Sequence, residues 1–485
     1  MTATLNAELT PHSAEETAAA FETARRAQKE WARTPLKQRK AIFLRYHDLV
    51  LEHQEELLDV IQDENGKNRA SAFEEIMDAA ITARHYAYQV ERLLRARKDI
   101  FGGALPLITH TIVEHPPKGV VGVIAPWNYP LVLALSDAVA ALLAGNAVVL
   151  KPDSLTPRTA FLAASLLYEA GLPRDLLQIV PGKGSVVGQE IMKQADYIMF
   201  TGSSATGATL AAQAGERLVG ISAELGGKNP MIICHDADVT TATYGALNAC
   251  FSNSGQLCIS IERIYVHEAV ADEFISQFVD NVKAMRVAGG HDWTVDMGSL
   301  ISEEHLATVD SFVRDAVAKG ATVLAGGTPL PELGPKFYAP TVLTDVPETA
   351  DLYRQEIFGP VVYIETVSSE EEAVAKANDS SYGLNSSVWG SPSTALSVAK
   401  QLETGTVNIN EGYAAGWGSM RASMGGWKRS GIGRRHGDDG LLKYTEPRTI
   451  AAQYVMPISG FRQMSKETYA KVMTAALKWA KPLLR

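Results

Sequence analysis

Three short segments of this 485-residue chain carry side chains whose chemistry belongs together. The first, Pro126-Trp127-Asn128-Tyr129-Pro130, follows a β-rich run and fixes an amide between two prolines at a strand's carboxyl end, where ligands bind in open α/β sheets. The second, Glu224-Leu225-Gly226-Gly227-Lys228-Asn229-Pro230, sets a carboxylate at the tip of another run, before glycines that let backbone approach a ligand. In the third, Ser254-Gly255-Gln256-Leu257-Cys258, a cysteine follows a glycine turn after a helix. Each alone has a plain reading: a rigid turn, a solvated surface Glu, an inert core thiol such as Cys234 and Cys250 are expected to be. Together they offer a thiol nucleophile, a carboxylate base and an amide donor for an oxyanion, which acyl chemistry at an aldehyde carbon requires.

On these segments the chain resembles the aldehyde dehydrogenase superfamily. The resemblance continues through Lys151-Pro152, Phe200-Thr201-Gly202-Ser203 with Gly207, Glu356-Ile357-Phe358-Gly359-Pro360, Asn408, and Gly425-Gly426 with Ser430-Gly431, over essentially the whole length. It implies an α/β fold with a Rossmann-type cofactor domain, an α/β catalytic domain and a β-arm that makes a homodimer or homotetramer. It implies that Cys258 attacks the aldehyde, that Asn128 and the Cys258 N–H hold the oxyanion, and that Glu224 activates the water that releases the acid. Lys151 joins these catalytic residues by the same likeness, and no metal is expected.

The resemblance also implies a nicotinamide cofactor, NADP or NAD. It would lie against Pro126, Trp127, Lys151, Ser154, Gly184, Gly188, Phe200, Thr201, Gly202, Ser203, Gly207 and Leu225, with Glu356 and Phe358 at the nicotinamide ribose. Neither Gly182-Lys183-Gly184 nor the stretch 202–207 has the G-x-G-x-x-G spacing, so the family likeness carries this inference. Ser154 stands where NAD-preferring relatives carry a Glu that holds both ribose hydroxyls. A Glu there would repel a 2′-phosphate and a Ser does not, which favours NADP. Read by itself, Ser154 is equally a turn residue ahead of Thr156-Pro157.

The segments 424–426 and 431–437 and the C-terminal tail resemble actinobacterial succinate-semialdehyde dehydrogenases, which implies oxidation of succinate semialdehyde to succinate. Relatives with that activity hold the substrate carboxylate with arginines, and the matching positions here are Ser136 and Ser252, which donate hydrogen bonds but no charge. Two alternatives stand beside it. One is a dehydrogenase of uncharged aromatic or aliphatic aldehydes, with Trp127, Trp417 and Trp427 available as pocket walls. The other is a non-catalytic binding protein on the same fold, against which the retention of Cys258, Glu224 and Asn128 argues.

Positioning such a constellation takes alternating strands and helices. From 119 to 223 short β-rich runs at 120–125, 147–150, 177–180, 197–200 and 218–222 alternate with helical segments, the rhythm of βαβ units and a parallel sheet. A second alternation follows 230: strands at 231–233, 261–266, 361–365, 386–389 and 406–409, helices at 237–251, 270–285, 369–378 and 394–404. Helical spacing runs from 14 to 98, and 465–485 reads as a cationic amphipathic helix docked on the body. The expected organisation is a dinucleotide-binding domain at 1–98 and 118–226, a catalytic domain at 227–444, an oligomerisation arm at 99–117 and 445–458, and a helical tail at 459–485. Within the arm, 107–114 reads as an exposed strand and 449–455 as its partner.

Composition narrows the function class. Hydrophobic residues are 46% and charged residues 21%, which excludes wholesale disorder. The net charge is −10 with basic residues scattered, so no nucleic-acid footprint is expected. Three cysteines make no disulfide framework and point to a reducing, cytoplasmic setting, and residues 1–17 lack a basic region followed by an apolar run. The apolar stretch 131–150 is split by Asp137 and by Gly145-Asn146, so it is expected to be helix, turn and buried strand rather than a membrane span.

Overall fold

The computed structural model describes residues 9–100, 109–454, 457–458, 460 and 462–481. Two open α/β sheets dominate it. The first has six strands in the order Gly431–Ile432, Gly220–Glu224, Tyr197–Thr201, Val120–Ile124, Ala147–Lys151, Leu177–Ile179. All neighbours are parallel except Gly431–Ile432, which runs antiparallel to Gly220–Glu224. Ala147–Lys151 is buried along its whole length, as its unbroken Val-Val-Leu run requires of a strand covered on both faces. The sequence adds strands to one side of Val120–Ile124 and then to the other, so a topological switch point falls at this strand's carboxyl end, where Pro126 to Pro130 begins.

Helices Ala14–Trp31, Leu36–Glu52, Gln54–Asn65 and Arg69–Leu93 join this first unit, and their apolar faces share one core with its sheet. Ser13 caps the first of them with a reciprocal Glu16 contact. Helical structure ends at Leu93, short of the expected 98, and Arg97–Asp99 is a strand. Arg97 and Lys98 of this strand are exposed.

The second sheet has seven strands in the order Thr322–Ala325, Thr341–Thr344, Val361–Val367, Ile261–His267, Asn229–Ile233, Asn385–Trp389, Thr406–Ile409. Only the first pair is antiparallel. Helices Val239–Phe251 and Glu268–Ala284 pack on it through Phe251, Phe274 and Phe278. The helix expected at 394–404 is Pro392–Ala399, started by Ser391 as N-cap and Pro392 in its first turn. Where the units meet, Tyr129, Leu133, Leu257, Ile259, Tyr413 and Met424 form a small core with Cys258 and Trp417 against it.

The arm is a three-stranded antiparallel sheet in which Thr109–Glu114 lies between Arg97–Asp99 and Arg448–Gln453. Residues 107, 108 and 455 of the expected strands lie outside the described residues. The long free edge therefore belongs to Arg448–Gln453 rather than to the strand read as exposed. The tail helix Lys466–Ala480 is not docked as expected: Val472, Leu477 and Trp479 on it are exposed. Among the described residues no helix is long and apolar enough to cross a membrane.

Candidate active site

Cys258 is presented by a backbone that few residues adopt willingly. After helix Val239–Phe251 the chain turns through Asn253 (φ 49°), Ser254 (φ 57°) and Gly255 (φ 70°), three left-handed residues in succession. Each non-glycine residue there costs about 1–2 kcal/mol. Side-chain bonds offset that cost. The Asn253 amide donates to the carbonyls of Asn128 at 2.9 Å and Gln256 at 3.2 Å. Ser254 donates to Gly298, and Gln256 donates to Asn253 while accepting from the Ile301 N–H. At Gly255 a Cβ would sit 2.1 Å from the Gly359 carbonyl oxygen, so only glycine fits. The Asn229 amide then ties down the Cys258 carbonyl at 2.8 Å.

Asn128 is held from behind. Its carbonyl accepts from Lys67 Nζ at 2.6 Å, and Lys67 pairs with Glu75 at 2.7 Å with both side chains fully buried. Glu75 also accepts the Leu131 and Val132 N–H groups. The Asn128 amide donates to the Gln256 carbonyl at 3.0 Å, which engages one of its two hydrogens and leaves the other for a ligand.

A cavity of about 270 Å³ at the switch point brings Asn128, Glu224 and Cys258 together. Glu224 ends its strand fully enclosed, with one carboxylate oxygen lacking any partner and Gly425 packed so close that a Cβ there would lie 3.1 Å from it. Burial pushes this carboxyl from 4.5 up to about 7, against the opposing pull of Arg435 and Lys443. Burial also pushes the Cys258 thiol up to about 12, with Arg435 opposing and Glu356 and Glu224 adding to the rise. Arg435 is itself fixed: it bonds Asp137 through Nε at 2.8 Å and Thr201 Oγ1 through Nη2 at 2.7 Å. A resting thiol in this cavity is neutral at physiological pH and needs a base to react. Glu224 is an ionisable base poised for that range.

The same cavity is lined by Pro126, Trp127, Thr201, Gly202, Ser203 and Leu225, and on its far side by Glu356 and Phe358. Ser203 caps helix Ser204–Glu216, whose N-terminus therefore faces this groove. Glu356 accepts the Gly227 N–H at 2.8 Å, and a Cβ on Gly226 would lie 2.2 Å from its carboxylate. Burial raises the Glu356 carboxyl to about 8, with Glu262 adding to the rise. Glu262 holds this segment by accepting the Ile357 and Phe358 N–H groups while paired with buried Lys228 at 2.7 Å. Lys151, Ser154, Gly184, Gly188, Phe200 and Gly207 stand outside the cavity wall. Lys151 ends the neighbouring strand Ala147–Lys151 and Ser154 lies three residues past it; among the described residues the Lys151 ammonium bonds only the Pro152 carbonyl, at 3.0 Å, and burial lowers its pKa. A Cβ at Gly184 or Gly188 would meet nothing within 4 Å. Leu225 fills the space over Gly207, and the Phe200 ring the space over Gly202.

Ser136 and Ser252 do not enter this cavity. Ser136 donates to Asp78 at 2.7 Å beside a space of about 20 Å³ that is also lined by Asp137 and Arg435. Ser252 donates to Asn248 at 2.7 Å and lies 2.8 Å from the Tyr413 hydroxyl, facing a cleft of about 450 Å³. Lys67, Glu75, Glu262 and Arg435 were not singled out from sequence. The one available signal was that buried charges come paired, and the pairing is visible only once the fold is known.

A profile of the family described as "Aldehyde dehydrogenase family" matches residues 1–450. A Mycolicibacterium smegmatis protein provisionally named a succinate-semialdehyde dehydrogenase for NADP(+) is 55% identical over 467 residues, 96% of this chain and 90% of the relative. The crystal structure of an E. coli NADP-dependent enzyme superposes with a TM-score of 0.87 at 34% identity, covering 92% of this chain and 91% of that one. A Bacillus cereus aldehyde dehydrogenase solved with NAD+ gives 0.86 at 35% identity, covering 91% and 90%.

Proposed function

This chain belongs to the aldehyde dehydrogenase family, and from that premise we propose that it oxidises short aldehydes to carboxylic acids with NADP, succinate semialdehyde among them, through a thioester on Cys258. The observation that carries this reading is the enclosure of Cys258, Glu224 and Asn128 in one cavity, with a carboxyl at about 7 beside a neutral thiol.

Glu224 takes the Cys258 proton, and the thiolate attacks the aldehyde carbon. The free hydrogen of the Asn128 amide and the Cys258 backbone N–H stabilise the resulting oxyanion. When bound, the nicotinamide supplies the hydride acceptor. Glu224 releases that first proton to solvent and then deprotonates a water that attacks the thioester; the C–S bond breaks, Glu224 returns the water's proton to the departing thiolate, and the acid leaves and ionises. One aldehyde, one water and one oxidised cofactor give one carboxylate, one reduced cofactor and two protons.

The groove fits a dinucleotide. Helix Ser204–Glu216 opens onto it with Ser203 as N-cap, and Glu356 lines its other side. Lys151 and Ser154 would meet the adenosine ribose. Lys151 forms no salt bridge among the described residues, and Ser154 is exposed with a long contact to Gly182, so position 154 itself brings no negative charge against a 2′-phosphate, although Asp153 lies beside it. The NADP in the names of similar proteins supports the same choice. A second reading, uncharged aldehydes as the better substrates, is favoured by the apolar space of about 130 Å³ flanking Leu257 and Ile259 and walled by Tyr129, Trp417 and Met420.

Initial rates with succinate semialdehyde and a series of uncharged aldehydes, each with NADP and NAD, test the proposal through absorbance of the reduced nicotinamide. Reduction by no aldehyde with either cofactor overturns it.

A further inference from the structure

The space beside Leu257 and Ile259 has carboxylates in its wall where a carboxylate-bearing substrate would call for cations. Glu74 and Asp78 both line it. Glu74 also faces the larger cleft on the other side of Ser252, so its side chain is the partition between the two spaces. Tyr129 donates to one of its oxygens at 2.9 Å and Tyr413 to the other at 2.7 Å. The Tyr413 hydroxyl is also 2.8 Å from Ser252. These hydroxyls are the neutral donors that could have received a substrate's carboxylate, and Glu74 already occupies two of them. Cations nearby are committed as well. Lys67 stands over the Tyr129 ring but pairs with Glu75, and Arg435 and Lys443 converge on Asp137. Among the described residues Glu74 and Asp78 form no salt bridge.

We infer that Glu74, with Asp78 deeper in the same wall, sets the tail preference of this site, which takes an aldehyde whose far end is uncharged ahead of one ending in a carboxylate. This rests on the aldehyde-oxidising reading above and ranks substrates within it. A second anion brought beside Glu74 meets like-charge repulsion in a largely apolar space whose described wall holds no Lys or Arg. An ester or alkyl tail brings no charge to that wall and can pack against Met77, Ile81, Tyr129, Trp417 and Met420.

The test compares kcat/KM for succinate semialdehyde and for its methyl ester, which has the same aldehyde and chain without the charge. The wild-type protein is expected to favour the ester by about tenfold. Glu74→Gln keeps the size and a hydrogen-bonding tip but removes the charge, and it is expected to bring the ratio to about one, mainly by lowering KM for the semialdehyde. A merely structural Glu74 would change both substrates alike and leave the ratio where it was. Asp78→Asn, made separately, moves the ratio the same way and carries the test should Glu74→Gln fail to fold. A wild-type preference for the anion, or a ratio that neither variant moves, overturns the inference while the proposed reaction stands. Oxidation of neither aldehyde overturns both.

Discussion

Glu224→Gln is expected to destroy steady turnover and at the same time to stabilise the protein at alkaline pH. The carboxyl rises from 4.5 to about 7 on folding because burial disfavours its charge. A group whose folded pKa lies above its unfolded value contributes stability that is fully present below about pH 4.5 and lost as pH rises through about 7. At 1.36 kcal/mol for each tenfold, holding Glu224 ionised at pH 8 costs the fold about 3 kcal/mol. Gln carries no such cost, and it forfeits little bonding because one Glu224 oxygen has no partner to lose. Thermal midpoints of wild type and variant, measured at pH 5 and pH 8, check the sign: the variant gains a few degrees at pH 8 relative to its difference at pH 5. In rapid mixing the same variant gives at most one burst of reduced cofactor, while wild-type turnover rises about tenfold between pH 6 and pH 8 as the base ionises. An unchanged midpoint difference across pH, or wild-type turnover in the variant, would refute the reasoning.

Cys258→Ala is expected to abolish turnover while NADP binding, followed by cofactor fluorescence, stays within about twofold, because no part of the dinucleotide groove depends on the thiol. Ser154→Glu is expected to weaken NADP by about tenfold and spare NAD, since it restores a like charge at the 2′-phosphate; steady-state kinetics giving an unchanged preference would make Ser154 a turn residue only. The free edge Arg448–Gln453, with Ile450 exposed on it, is expected to pair with another subunit, so sedimentation should give a dimer or tetramer at micromolar concentration and a monomer would count against it.

Much of the fold was legible because parallel strands buried on both faces leave uninterrupted apolar runs, and Val120–Ile124, Ala147–Lys151 and Tyr197–Thr201 begin and end within a residue or so of their expected limits. The short strands Thr322–Ala325 and Thr341–Thr344 were not expected, since four residues at a sheet margin carry too little pattern. The run expected at 218–222 is Gly220–Glu224: exposed Leu218 takes a left-handed φ of 57° and cannot extend the strand. For the site, the sequence motifs point to residues that share the central cavity, but the charged groups behind it leave no local mark. Lys67 reaches Asn128 across 61 positions and Arg435 reaches Thr201 across 234, distances over which no spacing rule operates.

Those hidden charges bear on why the proposed oxyanion donor is an amide rather than a cation. Cys258, Glu224 and Glu356 are all driven by burial toward their neutral forms, so the resting cavity holds little net charge and becomes negative only as the thiolate and oxyanion develop. A cation in direct contact would stabilise that negative charge, but it would also pair with Glu224 and pull its carboxyl back toward 4, where it could no longer accept a proton from thiol or water. In the proposed reaction Asn128 would stabilise the oxyanion through a fixed dipole and leave the base untouched. Two buried cations behind the site follow the same constraint. Lys67 bonds the Asn128 carbonyl from behind with Glu75 cancelling its charge, and Arg435 is tied to Asp137, so that each steadies the site without placing an unpaired positive charge inside it.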